Sequence, residues 1–166
     1  QIIKRKPKGY KRHMALQGET YALHNIGSIY SAIGMYDKAL EYERKSVPYE
    51  LKSGNTEGVA ISYTMFAYLF NKLNQVDSAE YYYKKSLKLT SSTKDRDNYS
   101  TALQGYATME KSSLSREEKG VMLKEALWIR RDLRDKNGEG QILLDICETQ
   151  FNALSKDSLS KLFQSI

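Results

Sequence analysis

A chain of 166 residues is long enough to bury a core of one or two domains, and two prolines against ten glycines favour helices. No apolar run approaches the roughly 18–20 residues that cross a membrane, and no signal-like segment is present. The single Cys147 excludes an internal disulfide framework and a thiolate metal cage; in its apolar stretch it is expected to be a small core residue.

The net charge of +6 is local. Lys4, Arg5, Lys6, Lys8, Lys11 and Arg12 lie in a stretch without acids; removing these six from the 26 basic residues leaves 20, equal to the 20 acidic ones. The basicity therefore belongs to an amino-terminal arm (residues 1–17), read as a solvated tail or frayed helix end more than as a nucleic-acid or membrane contact. Pro7 and Gly9 oppose helix at its start. The chain begins at Gln1 in mid-pattern, as a piece of a longer protein would, and residues 11–16 are expected to be helical, as the end of a preceding repeat.

From Glu19 to Ile33 the apolar residues Tyr21, Leu23, Ile26, Tyr30 and Ile33 recur at helical spacing, and Gly34 ends the helix. A second helix begins near Tyr36, with Ala39, Leu40, Glu43, Ser46, Val47 and Leu51 recurring along it. Pro48 predicts a kink or early end near Val47, because an interior proline removes a hydrogen bond and clashes with the previous turn. Gly54-Asn55 closes the pair.

Forty residues on, the pattern returns: Gly27 with Ala67, Ala39 with Ala79, Ser46 with Ser86. Self-similarity at such a period marks a stacked helical repeat. The second pair is expected over about Thr56–Leu73 and Val76–Thr90, with Thr90-Ser91-Ser92-Thr93 as a loop and Tyr83 in the core. Tyr99, Leu103, Tyr106 and Ala107 keep the register for a third pair. Asn137-Gly138-Glu139-Gly140 matches Asn55-Thr56-Glu57-Gly58 at an offset of 82, which predicts two extra residues in Ser112-Ser113-Leu114-Ser115. Ser115 is the expected N-cap of a helix running to about Lys136, with Trp128 as its core anchor. Gly140–Leu154 reads as the next helix, through Ile142, Leu143, Ile146 and Phe151, and Ser155–Ile166 as the start of its partner, with Leu159, Leu162 and Phe163 apolar. The units are thus 1–17, 18–57, 58–97, a degenerate 98–139, and a partial 140–166.

The pattern Leu23-x2-Ile26-Gly27-x2-Tyr30, then Gly34-x-Tyr36-Asp37-Lys38-Ala39-Leu40, then Ser46, resembles the tetratricopeptide repeat (TPR), in the long variant of about forty residues found in bacterial regulators and cell-polarity adaptors. The resemblance implies an all-α fold, a right-handed α-α superhelix of antiparallel helix pairs whose first helices line a concave groove. Carried onto this sequence, the groove positions are Tyr21, His24, Ser28 and Ser31; Ile61, Thr64, Tyr68 and Asn71; and Thr101, Gln104, Thr108 and Lys111. Asn25 occupies the place where the family often holds a peptide backbone, and Met65 is its counterpart in the second repeat. The basic residues with which some relatives grip a chaperone's terminal carboxylate are replaced here by His24, Ser28, Met65, Thr101 and Gly105, so that ligand is not expected.

The implied function is a protein-interaction module binding a protein or peptide segment, part of a larger regulatory or signalling protein. Self-association as a homo-oligomer, or docking on an output domain, is the alternative. Nucleic acid is an unlikely partner and rests on the arm alone. His24 has no acidic or thiol partner at helical spacing, and no phosphate loop or metal motif appears, so no enzyme activity, metal or cofactor is expected. Tyr81-Tyr82-Tyr83 points in three directions on a helix and makes no stacking platform. The compartment is unknown; a soluble cytoplasmic protein is slightly favoured over a periplasmic one.

Overall fold

The computed structural model describes the backbone of residues 10–91 and 94–149, and side chains within those spans from Gly18 onward. Every regular element described is a helix: α1 (Tyr10–Ala32), α2 (Tyr36–Ser53), α3 (Thr56–Lys72), α4 (Val76–Thr90), α5 (Arg96–Ala107), α6 (Arg116–Asp132) and α7 (136–149). The chain divides into two compact units, Gln1–Leu89 and Thr90–Ile166.

In the first unit, α1 packs on α2 and α2 on α3. The α1–α2 crossing is close because its residues are small. A Cβ at Gly27 would lie 2.9 Å from Glu43 Oε1 and 3.5 Å from the Ala39 carbonyl, and Ala39 is fully buried. Between α2 and α3 the seam is small and polar: the Ser46 and Ser62 hydroxyls pair at 3.1 Å. The next interface follows suit, with Ser86 Oγ donating to the Ala60 carbonyl at 3.0 Å. Phe66, Leu69, Phe70 and Tyr83 fill the space around these contacts. The tyrosine triplet divides as its spacing requires: Tyr81 is exposed, Tyr82 stacks on Phe70 with centroids 5.5 Å apart, and Tyr83 is buried.

In the second unit, α5 packs on α6 around Leu103, Tyr106, Met109, Leu123 and Ile129, with Ile142 of α7 also buried. Ser100 Oγ donates to the Ala126 carbonyl at 3.2 Å, so the small-residue crossing is kept here too.

The turns set the register. Met35 N–H bonds to the Tyr30 carbonyl, Gln75 to Phe70, Asn55 to Glu50 and Asp135 to Arg130, each a six-to-one closure around a residue at positive φ. The first helix of the next pair is then capped by a side chain: Asn55 accepts from Gly58 N–H, Asp95 from Asn98 N–H, and Asp135 from Gly138 N–H. These caps lie at 55, 95 and 135.

The period is therefore forty residues throughout, and the expected two-residue slip in 112–115 is overturned. Asp135 does the work of Asn55, which the sequence match had assigned to Asn137. As a result α6 ends at Asp132 instead of near Lys136, and α7 starts at 136 instead of 140. Ser115 does cap α6, in a reciprocal box with Glu118.

Other expectations are also corrected. In the unslipped register Ala126 takes the place of Ser46 and Ser86, so Trp128 falls on the outer side. It is 63% exposed, with the Arg96 guanidinium over its ring. Cys147 is exposed. The helix does not end at Pro48: α2 runs on to Ser53, with Pro48 on its exposed side between the buried Ser46 and Glu50. The missing N–H thus faces solvent, where a carbonyl left without its partner can bond water. Tyr21, expected on the groove face, is exposed, as are Ile26, Ile33 and Leu51. Residues 10–15 are helical, but they prolong α1 instead of ending an earlier helix. The expectations for the arm before Tyr10 and for residues 150–166 lie outside the described residues.

Candidate interaction groove

Helix α1 presents two different polar faces. Tyr21, Asn25 and Ser28 are exposed along one line, while His24 turns toward α2. Its Nδ1 lies 2.8 Å from Glu43 Oε2 and its Nε2 2.7 Å from Glu50 Oε1. Both glutamates are fully buried, and Glu50 Oε2 also accepts from the Ser62 hydroxyl at 3.0 Å. Burial alone would lower the His24 pKa, but the two carboxylate hydrogen bonds and their charge outweigh it and raise the value to about 9. Burial raises Glu43, against the pull of His24, and its Oε1 has no hydrogen-bond partner. With both ring nitrogens occupied, His24 is a structural cation tying α1 to α2. No lone pair is left for base catalysis.

The counterpart of Glu50 in the second unit is Arg130, eighty residues on and also buried. It donates from Nη1 to Asp97 and, at 3.1 Å, to Asp135, and from Nη2 to Thr101 Oγ1 at 2.7 Å. Sequence reasoning missed both clusters. Their signal lay in Glu43 and Glu50 sharing a helix face with Ser46, and in an arginine standing eighty residues beyond Glu50.

The remaining groove positions divide by unit. On α3, Ile61 and Tyr68 are exposed and Met65 and Asn71 half-buried; the Thr64 hydroxyl is 2.7 Å from that of Ser86. Ser31 on α1 is half-buried. Lys72 Nζ sits 5.3 Å from the Tyr68 ring centroid. In the second unit, Gln104 donates to Asp145 at 2.6 Å, and Thr101 and Thr108 are exposed. Lys111 is corrected: α5 ends at Ala107, so Lys111 falls in the following loop and not on a helix face. A separate recess of about 530 Å³ in the first unit, lined by Val59, Tyr63, Lys85 and Leu89 among others, contains none of these positions. Among the described residues, no helix is long and apolar enough to cross a membrane.

Comparison with known proteins agrees with this geometry. Residues 20–47 and 60–93 match the tetratricopeptide repeat family. No curated protein matches the chain. A solved structure, the crystal structure of BtubC (BKLC) from P. vanneervenii, superposes with a TM-score of 0.67 at 20% identity. The superposition covers 81% of this chain and 56% of that one, so this chain spans little more than half the neighbour's length. At that identity the likeness concerns the fold. The chain thus carries two matched tetratricopeptide repeats, at 20–47 and 60–93, within an all-α fold of the solenoid class.

Proposed function

We propose that this chain is a non-catalytic interaction module that binds a protein or peptide segment along the groove faces of α1 and α3. Repeats of this family generally mediate protein–protein contacts. The observation that carries the reading is a line of exposed aromatic and aliphatic side chains left out of the packing: Tyr21 at 73%, Ile61 at 45% and Tyr68 at 38% exposure. Large aromatics that remain exposed beside amide and hydroxyl groups are what protein interfaces use as anchors. Asn25, Ser28 and Asn71 supply the polar partners for a peptide backbone. The face is nearly uncharged, which suits a segment of mixed character over a strongly acidic or basic one. A place within a larger regulatory protein fits this reading.

Selection from a displayed random-peptide library tests it. Peptides bound by the wild-type chain should lose at least about tenfold in affinity when Tyr68→Ala and Asn71→Ala are introduced together. Peptides that bind the double variant as tightly as wild type would move the site off this face.

A further inference from the structure

The recess set apart from the groove combines apolar walls with positive charge. Leu51 of α2, Val59 and Tyr63 of α3 and Leu89 of α4 form the walls, so three successive helices build it. At about 530 Å³ it lies within the range of small-ligand sites. Tyr63 is steadied by Phe66 and Tyr82, with ring centroids 6.4 and 5.6 Å away. Lys85, half-buried, and Lys88, exposed, belong to the same lining. The Lys85 ammonium rests on tyrosines and not on a carboxylate: it lies 5.2 Å from the Tyr63 ring centroid and 4.7 Å from that of Tyr81. A cation held in this way keeps N–H donors for an anion. The acid among the described lining residues is Glu50, and its two oxygens are already bonded to His24 and Ser62.

The second unit shows what the same place holds when the chain itself supplies it. Forty residues on from Thr56, Val59, Lys85 and Lys88 stand Arg96, Tyr99, Glu125 and Trp128. There the Arg96 guanidinium lies 4.8 Å from the Trp128 ring centroid, and the Tyr99 hydroxyl donates to Glu125 Oε1 at 3.2 Å. Two aromatic rings and a carboxylate thus come together from one chain. In the first unit the rings give way to Val59 and Lys88, and the carboxylate to Lys85. What the first unit lacks at this place is an aromatic ring and a negative charge, and it sets two lysines there instead.

We propose that the recess binds a small aromatic carboxylate, an arene of about indole size carrying one acid group. The ring lies against Val59, Tyr63 and Leu89, which take it out of water, and the carboxylate meets the Lys85 ammonium. The ligand thereby supplies what Trp128 and Glu125 supply in the second unit. Burial of the ring provides most of the affinity, and the lysine contact provides the preference for an anion. A neutral arene lacks the second contribution and an inorganic anion lacks the first. The recess contains none of the groove positions, so this site does not rest on peptide binding there.

Isothermal titration of the whole chain with indole-3-acetate tests the proposal, with indole-3-acetamide as the uncharged analogue. The wild type should bind the acid with a Kd below about 1 mM and the amide at least about fivefold more weakly. Lys85→Met should bring the acid to the level of the amide while the melting temperature holds. Thr56→Arg combined with Lys88→Trp copies the second unit's pair onto two exposed positions; it should close the recess and weaken binding at least about tenfold. Trp128→Ala should bind as the wild type does, since the site lies in the first unit. The comparison of acid with amide on the wild type needs no variant, so it decides the matter even where a variant fails to fold. Acid and amide bound equally, no binding of the acid below about 1 mM, or binding lost in Trp128→Ala would each overturn the proposal.

Discussion

Near the end of the second helix of a pair, the first unit buries an acid and the second buries a base. Glu50 and Arg130 are eighty residues apart, and each follows the same backbone course into a turn at positive φ and a side-chain cap, Asn55 or Asp135. A Cβ at Gly58 would lie 3.1 Å from Glu50 Oε1, and one at Gly138 2.9 Å from Arg130 Nε. In both units the buried group passes close beneath the first turn of the next helix. The repeat therefore fixes a buried polar slot by backbone geometry and leaves its chemistry free, provided partners are supplied. Glu50 finds them across two interfaces, in His24 of α1 and Ser62 of α3. Arg130 finds them at the start of α5 and in its own following turn.

The two slots should differ in their sensitivity, because His24, the ion partner of Glu50, is 21% exposed whereas Asp97, which meets Arg130, is 70% exposed. Glu50→Ala leaves a half-buried imidazolium short of one counter-ion and empties a fully buried site, and about 3 kcal/mol of stability should be lost on urea unfolding. Arg130→Ala should cost distinctly less, since the freed aspartates can reach water. Equal losses would mean that the slots are energetically alike and that burial of the partner does not decide the matter.

Titration sharpens the same contrast. The folded pKa of His24 is raised from 6.5 to about 9, so its contribution is whole below pH 6.5 and disappears as pH rises through 9. Glu43, also raised, acts with the same sign at lower pH. Stability should fall by on the order of 2 kcal/mol between pH 7 and 10, and His24→Gln should flatten that slope. Arginine does not titrate in this range, so Arg130→Ala should leave the slope in place. A slope unchanged by His24→Gln would contradict the cluster. The smallest effect is expected at the turn: Arg134 holds the positive φ that Gly54 holds in the first unit. Arg134→Gly should raise stability by up to about 1 kcal/mol, read as a small increase in melting temperature.

Much of the fold could be read in the sequence, because helical periodicity and small-residue register are local signals. Gly27, Ala39, Ser46 and Ser86 lay in register, and Ser115 was recognisable as a cap. The third pair misled because Asn137-Gly138-Glu139-Gly140 matches Asn55-Thr56-Glu57-Gly58 by letter, whereas the cap depends on function, and Asp135 replaces Asn55 with a different side chain. Trp128 was misplaced as a consequence. The candidate site was less legible. Which side of α1 His24 occupies depends on two glutamates from another helix, and periodicity within one helix cannot report that. Cys147 was assigned to the core, yet it is exposed, because apolar surroundings in sequence say only that a residue is fit for packing, not that a neighbour is present.

The account separates a seam that holds the fold from a groove face that binds, and two substitutions, one on α1 and one on α3, test that division directly. With one library-selected peptide, affinity and unfolding free energy are measured for Tyr68→Ala and His24→Ala. Tyr68→Ala should lose at least about tenfold in affinity and stay within about 0.5 kcal/mol of wild-type stability. His24→Ala should be clearly destabilised and still bind within about threefold under folded conditions. The reverse result, with binding lost at His24 and stability lost at Tyr68, would contradict it.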